Sequence, residues 1–143
     1  MSVWSSWQTW AALSAVFASL TAIFAKVGVE NVNSDFATFI RTIVILMTLT
    51  LILYASGQFQ SPGSISTRSY VFLVLSGLAT GASWICYFRA LKLGEAAKVA
   101  PIDKLSVVLV AVFGVIFLGE HLSGPNWLGV GLIAVGAILV AYR

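Results

Sequence analysis

Charge is what this chain has least of. Charged side chains make up 9% of its 143 residues, and only five of them are acidic. A soluble domain carries about 25% charged residues, so this chain cannot cover a water-facing surface and reads as an integral membrane protein. Cysteine is represented by one residue, Cys86, which excludes an internal disulfide and any cysteine-based metal site. One histidine, His121, excludes a His-Glu-x-x-His centre, and a Ser-His-Asp site would have to use it at a loop edge. No glycine-rich phosphate loop is present. No metal or cofactor is therefore expected. No basic residue precedes Lys26, so the signal-peptide pattern is missing and the first helix is expected to stay as an anchor.

Apolar residues fill the remainder: 59% of the chain is hydrophobic and the mean hydropathy is +0.99. Five long apolar runs, about 7–27, 36–56, 70–91, 96–118 and 126–142, each approach the ~20 residues a helix needs to cross a bilayer. Alternating ~10-residue segments, the mark of transmembrane strands, do not occur. The fold class expected is all-α: a polytopic protein of five transmembrane helices in a single domain, 1–143. Its longest connection, Gly57 to Arg68, is rich in Gly, Ser and Pro and is too short for a soluble domain.

The basic residues sit beside the runs, so the net charge of +3 points to topology control and lipid contact, not to nucleic acid. Lys26, Arg89, Lys92, Lys98 and Arg143 fall on one side and Arg68 on the other, which places the N-terminus outside and the C-terminus in the cytoplasm. Trp4, Trp7, Trp10, Trp127 and Tyr142 stand at run ends, as interfacial anchors do. Small residues recur at helical spacing, including Gly77-x-x-x-Gly81 and Gly129 with Gly136. Such rows mark faces packed closely against another helix, in this chain or a second one.

Ionisable residues inside an apolar run cost roughly 2.5–3.5 kcal/mol each, so they face protein or water and mark candidate sites. Lys104 stands some eight residues inside the fourth run, roughly 12 Å of helix rise. Asp103 precedes it, and Pro101 removes a backbone donor, which should disturb the helix around 97–101. Freed carbonyls at that depth need protein or a water-filled cavity, so this half of the helix lines a polar cavity or holds a structural ion pair. Neighbouring helix positions project about 100° apart, so Asp103 and Lys104 are not expected to face one point. Arg41, about six residues into the second run, also needs an acidic or carbonyl partner. The expected arrangement pairs Arg41 with Asp103 and leaves Lys104 free. Trp84 and Phe88 share a face of the third helix with Tyr87 alongside, as cavity wall or as packing. Glu120, just before Ser123-Gly124-Pro125, is a structural cap for the fifth helix or a coupling group.

These segments together resemble one EamA-type domain of the drug/metabolite transporter superfamily. The resemblance rests on Trp10-Ala-Ala, Phe24-Ala-Lys26, Phe39-Ile-Arg41, Tyr87-Phe-Arg-Ala-Leu91, Ala100-Pro-Ile-Asp-Lys-Leu-Ser106 and Leu118-Gly-Glu120. It implies secondary transport of small metabolites, commonly efflux, across a bacterial inner or archaeal membrane. It also implies a ten-helix machine of two inverted five-helix repeats, with helices one to four around the cavity. One repeat is present here, so a second copy or a related five-helix chain is the expected partner. The substrate expected is a small polar or amphiphilic metabolite, and the basic pair Arg41 and Lys104 suggests a carboxylate on it. Two other readings stay open: a non-transporting subunit that regulates or completes another transporter, and an enzyme acting on lipid-linked groups.

Overall fold

A computed structural model describes residues 6–142 of the chain. The expected positions Trp4 and Arg143 lie outside the described residues. The described residues form helices and one short 3-10 turn, Pro62–Ser64, with no strand among them. The helices are α1 (Trp7–Gly28), α2 (Ser34–Ser56), α3 (Thr67–Leu93), α4 (Ala96–Asp103), α5 (Leu105–Leu118) and α6 (Gly124–Ala141). Taken with α4 and α5 as one span, five helices are long and apolar enough to cross a membrane. The protein is a multi-pass membrane protein.

Each helix end has a local cause. Asn33 caps α2 by accepting from the backbone N–H groups of Asp35 and Phe36 at 2.9 and 3.2 Å, which satisfies two orphan donors. Gly57 closes the same helix at φ 64°, a conformation glycine adopts without a Cβ penalty. The N–H of Gln58 then turns back to the Leu53 carbonyl at 3.1 Å. Inside the spans, Thr38, Thr42 and Thr80 each donate to the carbonyl four residues earlier, at 2.9, 2.8 and 2.9 Å. Their hydroxyls are thereby satisfied without water.

The fourth run is not one continuous helix, and the disturbance expected around 97–101 falls later. It breaks at Lys104, which takes φ −71° and ψ −6°. The N–H of Lys104 still reaches the Ala100 carbonyl at 3.1 Å, but Val107 N–H reaches only three residues back, to Lys104, at 3.0 Å. That shortened step is 3-10 geometry. Pro101 is tolerated inside α4, and the irregularity falls about a turn later than the missing donor alone suggests.

The helices group into two compact units. One holds Ala25 to Lys92: the end of α1, all of α2 and most of α3. Its largest buried side chains are Val29, Phe88 and Leu91, and Thr38 is its buried polar residue. The other holds α1 as far as Phe24 together with Leu93 onward. There α6 packs against both α4 and α5, and Gly114 and Ala137 are buried.

Large apolar side chains on every spanning helix point outward, among them Phe17, Leu46, Leu78, Val110 and Leu132. A soluble monomer does not sustain apolar surface on that scale; a bilayer does. Trp7 and Trp10 at the start of α1 are 76% and 60% exposed, as residues seated in a lipid interface would be.

Candidate functional site

The polar chemistry of the first unit gathers where α1 ends, α2 begins and α3 ends. Arg89 donates through Nε to Asp35 Oδ1 at 2.9 Å and through Nη2 to Oδ2 at 2.6 Å. This is a bidentate fork that fixes orientation as well as distance. Lys26 Nζ donates to the Leu91 carbonyl at 2.7 Å, and Lys92 Nζ to the Val32 carbonyl at 2.6 Å. Lys26 and Lys92 also lie in the last turns of α1 and α3, where cations suit the helix dipole. Residues expected to act only as topology signals therefore have specific partners. The Asp35–Arg89 pair was legible in principle, because an α2 start and an α3 end must share one membrane face.

Arg41 stands two turns further into α2. Its guanidinium carbon lies 4.2 Å from the centre of the Trp84 ring and 5.5 Å from that of Phe88. Stacking over an aromatic face is worth about 0.5–2 kcal/mol, more where water is excluded. Tyr87 meets the neighbouring Phe88 edge-on at 6.5 Å. The structure thus brings together Arg41, Trp84 and Phe88, with Tyr87 beside them. Within this unit, no carboxylate or carbonyl accepts from Arg41 among the described residues.

A groove of about 570 Å³ runs between α2 and α3. Its lining includes Thr38 and Thr42 from α2, and Ser76, Gly77, Thr80 and Gly81 from α3, with Trp84 at one end. Within the unit, a Cβ added at Gly77 or Gly81 would meet nothing within 4 Å. The glycine row expected to mark a tightly packed face here forms an open groove floor.

In the second unit, Lys104 Nζ reaches Asp103 Oδ2 at 3.3 Å. Lys104 was expected to be free and turned away from Asp103. The break in the helix at Lys104, together with its long flexible stem, lets the side chain fold back onto its neighbour. Gly119 turns the chain at φ 68°, and the N–H of Glu120 reaches the Gly114 carbonyl at 3.1 Å. The Glu120 carboxylate lies back along α5: a Cβ at Gly114 would come within 2.5 Å of its Oε2. Ser123 occupies the N-cap position of α6 without a side-chain cap bond, and Pro125 stands in the first turn. Gly129 and Gly136 likewise meet nothing within 4 Å in their unit. Among the described residues no cluster of His, Cys, Asp or Glu could hold a metal ion.

The model of the EamA-like transporter family matches residues 5–142. An uncharacterized transporter encoded in the cobO 3' region of a Sinorhizobium species is 66% identical over 95% of this chain and 96% of its own length. Two relatives carry the name probable 4-amino-4-deoxy-L-arabinose-phosphoundecaprenol flippase subunit ArnE. The one from Aeromonas salmonicida is 28% identical over 68% of this chain and 95% of its own. The one from Aeromonas hydrophila is 35% identical over 48% of this chain and 60% of its own. No solved structure matches the chain.

Proposed function

The chain belongs to the EamA-like transporter family, and from that premise we propose that it moves small polar or amphiphilic metabolites across the membrane, by secondary transport in the efflux direction. It works as a five-helix half that pairs with a second copy or a related chain into a ten-helix unit. The observation that carries this reading is the family match across all five apolar spans. An alternating-access site forms between two such repeats, and the ArnE relatives are named as subunits. The family and the name of the Sinorhizobium relative favour a carrier over an enzyme.

The site we assign lies on α2 and α3, with Arg41 as the charged contact and Trp84, Tyr87 and Phe88 as its aromatic wall. In the other unit, Asp103 and Lys104 are our candidate contacts, at the irregular turn between α4 and α5 that follows Pro101. The membrane is the bacterial inner or archaeal membrane, with the N-terminus outside. Proteoliposomes holding this chain alone test the reading, by flux of amino acids, organic anions and amphiphilic cations. Protein-dependent flux of one class, with two copies per particle by single-molecule bleaching, is the expected result. Flux neither alone nor with a co-reconstituted related chain overturns it in favour of a regulatory subunit.

A further inference from the structure

Arg41 differs from the cations near it. Lys26, Arg89 and Lys92 each donate to a protein oxygen. Arg68, at the start of α3, sits 5.9 Å over Phe72 at a helix end that water can reach. Arg41 is within a span and keeps its charge there. It sits over two ring faces, with Tyr87 close enough to interact with its charge. A ring face takes no conventional hydrogen bond, so the five donors of the guanidinium are left for other acceptors. What completes such a group is an in-plane oxygen anion.

The groove beside it has a different chemistry. From Leu73 to Ile85 its α3 wall spans thirteen residues, roughly 18 Å of rise. The hydroxyls of Thr38, Thr42 and Thr80 are already spent on their own helices, so the lining presents mainly methyl groups and a glycine floor, with the Ser76 hydroxyl among them. Asp35, at one end of the groove, is held by the Arg89 fork. Trp84 both lines the groove and carries Arg41 on its ring. A long, mainly apolar groove thus includes the ring that carries Arg41, a cation with no carboxylate bonded to it in this unit.

We propose that Arg41 and the α2/α3 groove form one binding site for an anionic amphiphile, with a phosphate or carboxylate head on the Arg41 edge and an apolar chain along Gly77 and Gly81. The inference deepens the transporter reading and rests on it for its purpose, since the occupant would be cargo. An apolar helix of a second copy would also fit a glycine floor, but it would leave Arg41 without an anion.

The test uses the full chain in phosphatidylcholine nanodiscs, with Trp84 kept and the other four tryptophans changed to Phe. A bromoundecyl phosphate should quench Trp84 saturably. Dodecyl phosphate should compete, while inorganic phosphate and dodecyltrimethylammonium should not, which separates a chain-bearing anion from a free one. Arg41→Gln should weaken the apparent affinity about tenfold or more, roughly 1.4 kcal/mol, with partial recovery in Arg41→Lys. Gly81→Leu, for which the groove has room, should remove the preference for dodecyl over butyl phosphate. Quenching that never saturates, or that Arg41→Gln leaves unchanged, overturns the site. Gly81→Leu that disperses oligomers while quenching is unchanged assigns the groove to a second copy and overturns it too. Should the tryptophan replacements fail to fold, the native protein against Trp84→Phe gives the same reading by difference. Saturable binding without flux retires the transporter reading alone; flux with no Arg41-dependent binding retires this site alone.

Discussion

Two cations inside apolar spans, Arg41 and Lys104, occupy different chemical settings. Arg41 lies on a regular stretch of α2, over the Trp84 ring and near Phe88. Lys104 sits at an irregular turn, half-exposed, with its ammonium folded onto Asp103. One rests over ring faces, and no carboxylate or carbonyl of its unit accepts from it among the described residues. The other has a carboxylate within reach and a flexible stem. The lesson is that depth in an apolar run identifies a functional candidate, whereas the partner decides what it can do. A guanidinium on an aromatic plate suits recognition of an anion; an ammonium beside its own carboxylate at a helix break suits local structure or a moving joint.

That contrast can be broken or sharpened by substitution. The largest effect should come from Arg41→Gln, which should reduce flux in proteoliposomes by about tenfold or more, the loss of one charge-assisted contact of roughly 1.5–3 kcal/mol. Trp84→Ala should follow, with a several-fold loss corresponding to about 1–2 kcal/mol of ring contact, while Trp84→Phe retains most of the flux. Lys104→Ala should cost less than either. Equal losses at positions 41 and 104 would erase the distinction. Pro101→Ala should restore a continuous helix from α4 into α5, seen as slower amide exchange at Leu105 to Val107. The smallest effect is expected at Gly114→Ala. The new methyl meets only the mobile end of Glu120, so melting in detergent should fall slightly, and not at all in a Glu120→Ala background.

Much of the architecture was legible from composition and run length. Five apolar runs near bilayer length leave few alternatives to five helices, and the structure's bounds fall within a few residues of those runs. Arg41, Trp84 and Phe88 were each singled out from depth or helical spacing, and the structure brings the three together. Their stacking was not legible, because it depends on how α2 and α3 sit side by side. The break at Lys104 was misplaced for a related reason. A proline removes a known donor, but neighbouring packing decides where the ladder gives way. Gly77 and Gly81 show the limit of spacing rules in lipid: a small-residue row marks a face with room for close approach, and says nothing of what fills that room. The Asp35–Arg89 fork joins the start of α2 to a residue whose charge alone suggested only a role in topology.

The most direct measurement is a side-by-side flux assay of the wild-type chain, Arg41→Gln and Lys104→Ala, reconstituted at equal density and scored for amphiphilic anions. The account predicts that Arg41→Gln loses most of the flux and Lys104→Ala keeps the larger part. Full flux through Arg41→Gln would contradict it.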